Sequence, residues 1–313
     1  MATSLSTILS EKTLSNTAEL AERFTAAEPF SHVVIDDFFT PLFCQALLDE
    51  FPKFAKERAL NENGTVGRKA VNTQLPALGP HYKTLDDTVK SSDFLAWVSR
   101  ATGIPDLKYD PDYFGGGTHE NCHGQDLDPH VDFNRHPVTN YHRRLNLIVY
   151  LNHDWRDEWG GAIEFHQDPR KPAAENNITQ VAPLFNRCVI FATHDTSWHG
   201  FERINLPEGD QDAHSRKSLA LYFYTKTRPK DEDAGRHSTI YIERPLPEHI
   251  QPGTTLTEQD YQQIQTLLAR RDQHLARLYR DNHRLQRMLD RVVSNPLVRG
   301  LRWLVNLLRR AKR

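Results

Sequence analysis

Sulfur-containing residues are scarce in this chain of 313 residues, which has three cysteines and two methionines. Cys44, Cys122 and Cys188 show no paired spacing, a pattern that favours a reducing compartment over a disulfide framework. No stretch approaches the roughly 18 consecutive apolar residues that a membrane-spanning helix needs. The N-terminus also lacks a basic region followed by an apolar core, so no signal peptide is predicted. We therefore expect a cytoplasmic protein.

The composition supports a folded chain with an unusual tail. Hydrophobic residues make up 38% of the chain and aromatic residues 10%, enough for a substantial core. The formal net charge is −2, but residues 270–313 carry 12 Arg and one Lys against three Asp. The tail therefore has a net charge of +10 and the remainder −12, which indicates an acidic partner surface for the tail.

The first candidate chemistry lies at His130-Val131-Asp132. Alternate residues of a strand share one face, so His130 and Asp132 can offer an imidazole nitrogen and a carboxylate oxygen to one point. His199 supplies a second imidazole, and residues 133–198 are long enough to form several strands in between. Two histidines and one carboxylate form the facial triad of non-haem Fe(II) oxygenases. With 16 histidines and 41 acidic residues in the chain, an isolated His-X-Asp triplet is more often a solvated turn or a satisfied surface pair than a metal site.

The order of the following segments strengthens the metal hypothesis. β-branched and aliphatic content predicts strands at 144–152, 187–191 and 216–224, and a turn followed by a strand within 159–165. On the last of these strands, Arg216 and Ser218 share one face. A guanidinium is a bidentate clamp for a carboxylate, and here it lies beside a hydroxyl.

In this order the segments resemble the 2-oxoglutarate/Fe(II) dioxygenases, most closely the prolyl 4-hydroxylase-like branch. The resemblance covers about residues 108–228, with a weaker match at 29–52. It implies that iron is bound by His130, Asp132 and His199. The presence of Asp132 argues against the related halogenases, in which a small residue leaves that position for halide.

The same resemblance implies a co-substrate site and a set of cofactors. Arg216 would hold the distal carboxylate of 2-oxoglutarate, with Tyr150 and Ser218 as hydroxyl donors. The cofactors would be Fe(II), 2-oxoglutarate and O2, with ascorbate as an optional reductant. The reaction would be hydroxylation of an unactivated carbon, with release of succinate and CO2.

The implied fold is an α+β protein with a mainly β core: a double-stranded β-helix (jelly-roll, cupin-like) with flanking helices and a C-terminal helical extension. We expect an N-terminal support region at 1–105, the dioxygenase core at 106–228, a linker at 229–258 that contains one strand at 238–242, and a helical tail at 259–313.

Within the support region, the sequence predicts a short helix over 1–28, a strand at 30–35, a helix at 42–51 and another at about 84–101. Thr40 is expected to cap the second of these helices, whose core-facing stripe would include Leu42, Ala46 and Leu47. Residues 55–80 are polar and glycine-containing, which predicts a loop near the mouth of the site.

Four further residues are candidates for the substrate pocket. His119 and Asn121 share a strand face, which would either line the pocket beside the iron or form a polar outer surface. Trp198 and Tyr222 are expected to provide apolar walls.

The tail contains two different patterns. Apolar residues recur at heptad spacing over 261–293, with a polar Asn282 at a first position, which favours a parallel coiled-coil homodimer. The alternative is a long helix packed on its own barrel. Residues 297–313 combine an apolar stripe with an arginine-rich face, a pattern typical of binding to an anionic membrane surface, although helix packing remains an alternative. Nucleic acid is not expected as a partner.

These patterns lead to a ranked set of functions. The first is a hydroxylase of a prolyl residue or proline-like substrate, presented as a protein, a peptide or a small molecule. The second is a hydroxylase of a sugar or lipid-linked glycan, held on the inner face of the membrane by the tail. A third, of another class, is an inactive jelly-roll scaffold dimerised by its tail. The complete set of His, Asp, His and Arg argues against the third.

Overall fold

The computed structural model describes residues 4–55, 69–233, 235–247 and 249–295. Its helices are α1 (Leu5–Ile8), α2 (Glu11–Ser15), α3 (Thr17–Ala26), α4 (Pro41–Asp49), α5 (Pro80–Val89), α6 (Ser92–Thr102) and α7 (Glu258–Ser294). Its strands are β1 (His32–Ile35), β2 (Lys69–Asn72), β3 (Lys108–Tyr109), β4 (Gly117–Asn121), β5 (Leu127–Val131), β6 (His142–Tyr150), β7 (Ile163–His166), β8 (Ile178–Val181), β9 (Cys188–Ala192), β10 (Trp198–Phe201), β11 (Arg216–Thr225) and β12 (Ile240–Tyr241).

Two antiparallel sheets form the core. The large sheet has the order β1-β9-β6-β11-β4-β2, with β3 also paired to β11, and the small sheet has the order β12-β5-β10-β7-β8. The eight strands from β4 to β11 are divided equally, and the chain crosses from one sheet to the other at every connection except β7–β8. This winding is the predicted double-stranded β-helix, which is confirmed together with its flanking helices and its C-terminal helix.

The period of two in each strand separates an outer from an inner face of the large sheet. On β11, Leu219, Leu221 and Phe223 point outward into a core completed by the N-terminal helices. The alternate residues Arg216 and Ser218 are also buried but point toward the small sheet. One face of β11 therefore stabilises the domain, and the other contributes to the cavity between the sheets.

The chain forms two compact units, Met1–Ile242 and Glu243–Arg313. The first includes the region predicted as a separate N-terminal support, because β1 pairs with β9 and β2 pairs with β4 as strands of the large sheet. It also includes β12, which lies in the predicted linker and pairs with β5. The compact unit that holds both sheets thus includes residues on either side of 106–228.

Several local predictions for the N-terminal region are wrong. The helix predicted over 84–101 is two helices, because the Ser91 side chain accepts a hydrogen bond from Phe94 N and starts α6 anew. In α4, Leu42 is 86% exposed, whereas Phe43, Cys44 and Leu47 are buried, so the core-facing stripe is rotated by one residue. The Thr40 side chain makes no capping hydrogen bond.

The predicted loop at 55–80 also contains regular structure. Residues 69–72 form β2, which pairs with β4 at the edge of the large sheet, and α5 begins at Pro80. Residues 56–68 of this stretch lie outside the described residues.

The second unit is built on α7, a helix of 37 residues. A capping box starts it: the Thr257 side chain accepts from Asp260 N, and the Asp260 carboxylate accepts from Thr257 N. In the described part of the chain, no helix has both the length and the apolar character to cross a bilayer. The segment 297–313 lies outside the described residues.

Candidate active site

His130, Asp132 and His199 come together where two strands of the small sheet run side by side. His130 on β5 is the direct antiparallel partner of His199 on β10. Asp132 is the first residue beyond β5. Its two carboxylate oxygens lie 3.8 Å from Nε2 of His130 and 3.5 Å from Nε2 of His199. The three side chains can therefore offer two nitrogens and one oxygen to the same face of a cation.

The other ring nitrogen of each histidine faces a backbone carbonyl. Nδ1 of His130 lies 3.0 Å from the carbonyl oxygen of Asp128, and Nδ1 of His199 lies 2.9 Å from that of Ser197. A carbonyl can only accept, so both Nδ1 atoms carry the hydrogen and both Nε2 atoms present their lone pairs. This donor set, with both tautomers preset by the backbone, fits Fe(II).

The charges around the triad favour the protonation states that a metal requires. Burial, followed by the nearby His199, lowers the pKa of His130 to about 3, and burial lowers the pKa of His199 as well. Burial alone would raise the pKa of Asp132, but Arg143 and the two histidines together hold it below its ordinary value. At neutral pH the three side chains are two neutral imidazoles and a carboxylate, ready to bind a metal without releasing protons.

Asp132 is held in place from behind by Asn146 and Arg143. Nδ2 of Asn146 donates to Asp132 Oδ2 at 2.8 Å, and Nη2 of Arg143 lies 3.0 Å from the same oxygen. Arg143 also donates two hydrogen bonds to Asn146 Oδ1 and lies over the Tyr222 ring at 3.6 Å. Both contacts converge on Oδ2, so the carboxylate has a fixed orientation.

Arg143 was not predicted as part of the site, and the reason is a β-bulge. Between β6 and β11, Leu145 pairs with Phe223 but Arg143 pairs with Tyr224, so no residue of β11 lies directly opposite Arg144. The extra residue turns Arg143 to the inner face that simple alternation assigns to Arg144. The sequence contains Arg143-Arg144 but no signal that says which of the two faces inward.

A second cluster of potential ligands, Asp110, Asp112 and His136, lies elsewhere in the first unit. Nδ1 of His136 accepts hydrogen bonds from the backbone N–H groups of Val138 and Thr139, both at 3.2 Å. The proton of a neutral ring is therefore on Nε2, which lies 3.3 Å from Asp110 Oδ1. The imidazole has no lone pair left for a metal, so the cluster is structural.

The triad faces a cavity of about 410 Å³ between the two sheets. Its lining includes the candidate residues His130, Asp132, His199, Arg216, Ser218, His119, Asn121 and Tyr222. Tyr150 reaches the site through its contact with Arg216.

Arg216 is fixed by two hydrogen bonds and an aromatic surface. Its Nε donates to the carbonyl oxygen of Gly161 at 2.6 Å, and its Nη2 donates to the Tyr150 hydroxyl at 3.2 Å. The Phe201 ring lies 4.3 Å from the guanidinium carbon. Ser218 is the direct cross-strand partner of Tyr150. A buried cation with two hydroxyls beside it is suited to a carboxylate.

Trp198 does not line the cavity, in contrast to its predicted role. It directly precedes His199 on β10, so strand alternation turns it to the opposite face of the small sheet. There it is buried opposite His166 and lies 5.4 Å from the guanidinium of Arg170.

Lys69 and Tyr241 are among the cavity residues that were not named as candidates. Lys69 on β2 lies in the stretch predicted to be a loop, and Tyr241 on β12 lies in the predicted linker. The Tyr241 ring stacks on the iron-ligand candidate His130 with 5.2 Å between ring centroids. The strand predicted within the linker was the available signal for Tyr241, whereas nothing in the sequence pointed to Lys69.

Residues 117–240, which contain the triad, Arg216 and Ser218, match the family model of the 2OG-Fe(II) oxygenase superfamily. This segment is a 2OG-Fe(II) oxygenase domain. The predicted family is thereby confirmed, and Fe(II) and 2-oxoglutarate are the cofactors of this family, with O2 as the oxidant.

Individual relatives share limited sequence identity with the chain. A prolyl 3-hydroxylase, OGFOD1, from Mus musculus is 24% identical over 173 residues, which are 54% of this chain and 27% of that protein. The chain therefore spans about a quarter of the length of this curated relative.

Solved structures with a similar chain course include two prolyl hydroxylases. One, from Trichoplax adhaerens, was solved with a hypoxia inducible factor peptide; it has a TM-score of 0.47 and 15% identity, and the match covers 67% of this chain and 91% of that one. The other, a prolyl 4-hydroxylase from Phytophthora capsici, has a TM-score of 0.44 and 19% identity. The match covers 96% of this chain and 88% of that one.

Proposed function

We propose that the 2OG-Fe(II) oxygenase domain is an active hydroxylase of an unactivated carbon in a prolyl or proline-like substrate, which forms succinate and CO2 from 2-oxoglutarate. The observation that carries this proposal is the convergence of the triad and the fixed Arg216 on one cavity. The curated relative named as a prolyl 3-hydroxylase supports a proline-type substrate.

Each group has a defined part in this proposal. His130, Asp132 and His199 bind Fe(II), and Arg143 and Asn146 keep the carboxylate oriented. When bound, Fe(II) and 2-oxoglutarate together supply the oxidising chemistry, so the protein's contribution is positioning and exclusion of water.

The co-substrate and the substrate meet different parts of the cavity lining. Arg216 pairs with the distal carboxylate of 2-oxoglutarate, and the hydroxyls of Tyr150 and Ser218 lie beside it. The rings of Phe133, Phe201 and Tyr222 form an apolar wall around the substrate space.

The proposed function is tested by succinate formation from 2-oxoglutarate with added Fe(II). A panel of proline peptides, free proline derivatives and glycans should show which class raises the rate above that of enzyme alone. Stimulation by proline compounds supports the proposal, whereas stimulation by glycans alone would favour the sugar hydroxylase. An absence of succinate under all conditions would contradict both hydroxylase functions and favour the third alternative, an inactive scaffold.

We also propose that α7 pairs with the α7 of a second copy. Leu268 and Leu275 are each 49% exposed, and the later seam residues Leu278, Leu285 and Leu289 are more exposed still. Such a repeated apolar seam on a polar helix is buried in a coiled coil, and a single Asn in it sets register and orientation.

Replacing Leu268 and Leu275 together by Asp should convert a dimer into a monomer, because two charges on each helix would then have to be buried. Sedimentation equilibrium measures the mass directly. The matched control is Tyr279→Asp, at a residue that is 68% exposed but lies outside the seam. A wild-type chain that remains monomeric at all concentrations contradicts the dimer.

From the sequence alone, we propose that residues 297–313 bind an anionic membrane surface. The full chain should co-sediment with vesicles containing anionic lipid at low salt and dissociate as salt rises, because each Lys or Arg near such a surface contributes about 1 kcal/mol. A chain ending at Asn295 should stay in the supernatant. Equal behaviour of the two chains would leave this segment with a packing role.

A further inference from the structure

Lys69 shares a face of the large sheet with Arg216. Lys69 on β2 is the direct partner of Asn121 on β4, and Asn121 is in turn the direct partner of Arg216 on β11. Residues directly opposite each other in adjacent strands point to the same side of a sheet. All three side chains line the cavity. Because the backbones of neighbouring strands are about 4.8 Å apart, Lys69 starts about 10 Å from Arg216.

The Lys69 ammonium lacks a counter-ion within the described part of the chain. Among the residues that the structure describes, none forms a hydrogen bond or an ion pair with it. Burial lowers the pKa of Lys69 to about 8, and Arg216 and Arg143 act in the same direction, while Asp132 opposes them. The carboxylate whose charge favours the ammonium is Asp132, and Arg143 and Asn146 already contact that carboxylate.

The other described residues around the cavity do not balance this cation. Among the residues that the structure describes, the charged lining consists of three cations and two carboxylates, Lys69, Arg143, Arg216, Asp126 and Asp132, for a net charge of one positive. The two positive charges of Fe(II) and the two negative charges of 2-oxoglutarate cancel. One positive charge is left among these described residues, and an uncompensated charge that is partly withdrawn from water is costly.

We propose that Lys69 binds an anionic carboxylate of the substrate and thereby selects acidic substrates for the hydroxylase. This rests on the proposed function, because it names the substrate class of the same site. The carboxylate would come either from a free proline-type acid or from an acidic side chain next to a prolyl residue. Lys69 lies on the edge strand β2, two strands away from Arg216, so in this proposal it contacts a group next to the co-substrate that Arg216 would hold.

Protection from acylation tests the contact without any turnover. The protein is loaded with Fe(II) and 2-oxoglutarate without oxygen and treated with an amine-acylating reagent at neutral pH, and each lysine is followed by peptide mass spectrometry. N-acetyl-L-proline and a Pro-Glu peptide serve as the anionic probes, and N-acetyl-L-prolinamide and a Pro-Gln peptide as their neutral counterparts. Lys108, exposed on β3 of the same sheet, is the internal control.

At least one anionic probe should slow the acylation of Lys69, while its neutral counterpart and the control lysine show no effect. Protection by the proline acid alone identifies a free-acid substrate, and protection by the Pro-Glu peptide alone identifies an acidic peptide. A lack of protection by either anionic probe overturns the proposal, whatever the enzyme's activity.

Kinetics of two variants separate substrate binding from co-substrate binding. Lys69→Met removes the charge but keeps the apolar stem, and it should raise the KM for the acidic substrate about tenfold, the usual worth of a charge-assisted hydrogen bond. Lys69→Arg should retain most of the preference for acid over amide. A Lys69→Met enzyme with a raised KM for 2-oxoglutarate instead would assign Lys69 to the co-substrate and refute the proposal. Loss of succinate formation in the wild type would count against the proposed function alone, since the acylation result stands without it.

Discussion

Replacing Asp132 by Ala should abolish succinate formation and reduce bound Fe(II) to background. The change removes the single anionic ligand, and two neutral imidazoles alone bind Fe(II) weakly. It also leaves the guanidinium of Arg143 buried without its counter-ion, which should destabilise the fold by about 3–5 kcal/mol. Metal analysis, succinate release and thermal unfolding measure the three effects separately.

Two further variants separate metal binding from folding. Asp132→Asn keeps the size of the side chain, so it should fold better than Asp132→Ala yet still lose most of the iron. Asp126→Ala removes another carboxylate that lines the cavity and should leave the iron content unchanged. If Asp132→Ala retained iron and turnover, the assignment of the triad would have to be abandoned.

The second large effect concerns the co-substrate. Arg216→Ala should raise the KM for 2-oxoglutarate by at least about tenfold, because truncating one partner of a buried hydrogen-bonded charge pair costs roughly 2–5 kcal/mol. Arg216→Lys should recover only part of this loss, since an ammonium lacks the planar fork and cannot reproduce both contacts to Gly161 and Tyr150. Initial rates over a range of 2-oxoglutarate concentrations provide the measurement.

Lys217 provides the control for this prediction. It is the next residue on β11 and points to the opposite face, where its ammonium donates to Ser215 Oγ and lies 3.6 Å from Glu120. Lys217→Ala should therefore leave the KM for 2-oxoglutarate unchanged. A large effect of Lys217→Ala with a silent Arg216→Ala would show that 2-oxoglutarate binds outside the cavity.

Two arrangements of candidate site residues in the structure follow from simple rules of strand geometry and order. On β11, Arg216 and Ser218 face the cavity and Leu219 faces the outer core. This follows from the side-chain period of two in a strand, which depends only on local backbone geometry. The association of His130, Asp132 and His199 follows from the order of the strands between them, because sequential antiparallel strands return the chain to the same place.

The predictions that failed involve a local pattern changed by its surroundings. The Ser91 side chain divides one apolar periodicity into two helices, and Leu42 faces solvent although its spacing would also suit a buried stripe. Trp198 has the apolar character of a pocket wall, but its position directly before a metal-ligand candidate turns it away from the cavity. In each case, apolar content was a weaker guide than the orientation imposed by the neighbouring element.

The amino-acid order alone was sufficient for the family, the alternation of the strands and the choice of candidate residues for the iron and co-substrate sites. Folding in three dimensions set the parts that depend on distant segments. A bulge in β6 decides that Arg143 rather than Arg144 supports Asp132, and pairing of β2 with β4 brings Lys69 into the cavity. Neither the bulge nor the β2–β4 pairing can be predicted from the local sequence. Both are determined by the partner strand, which is far away along the chain.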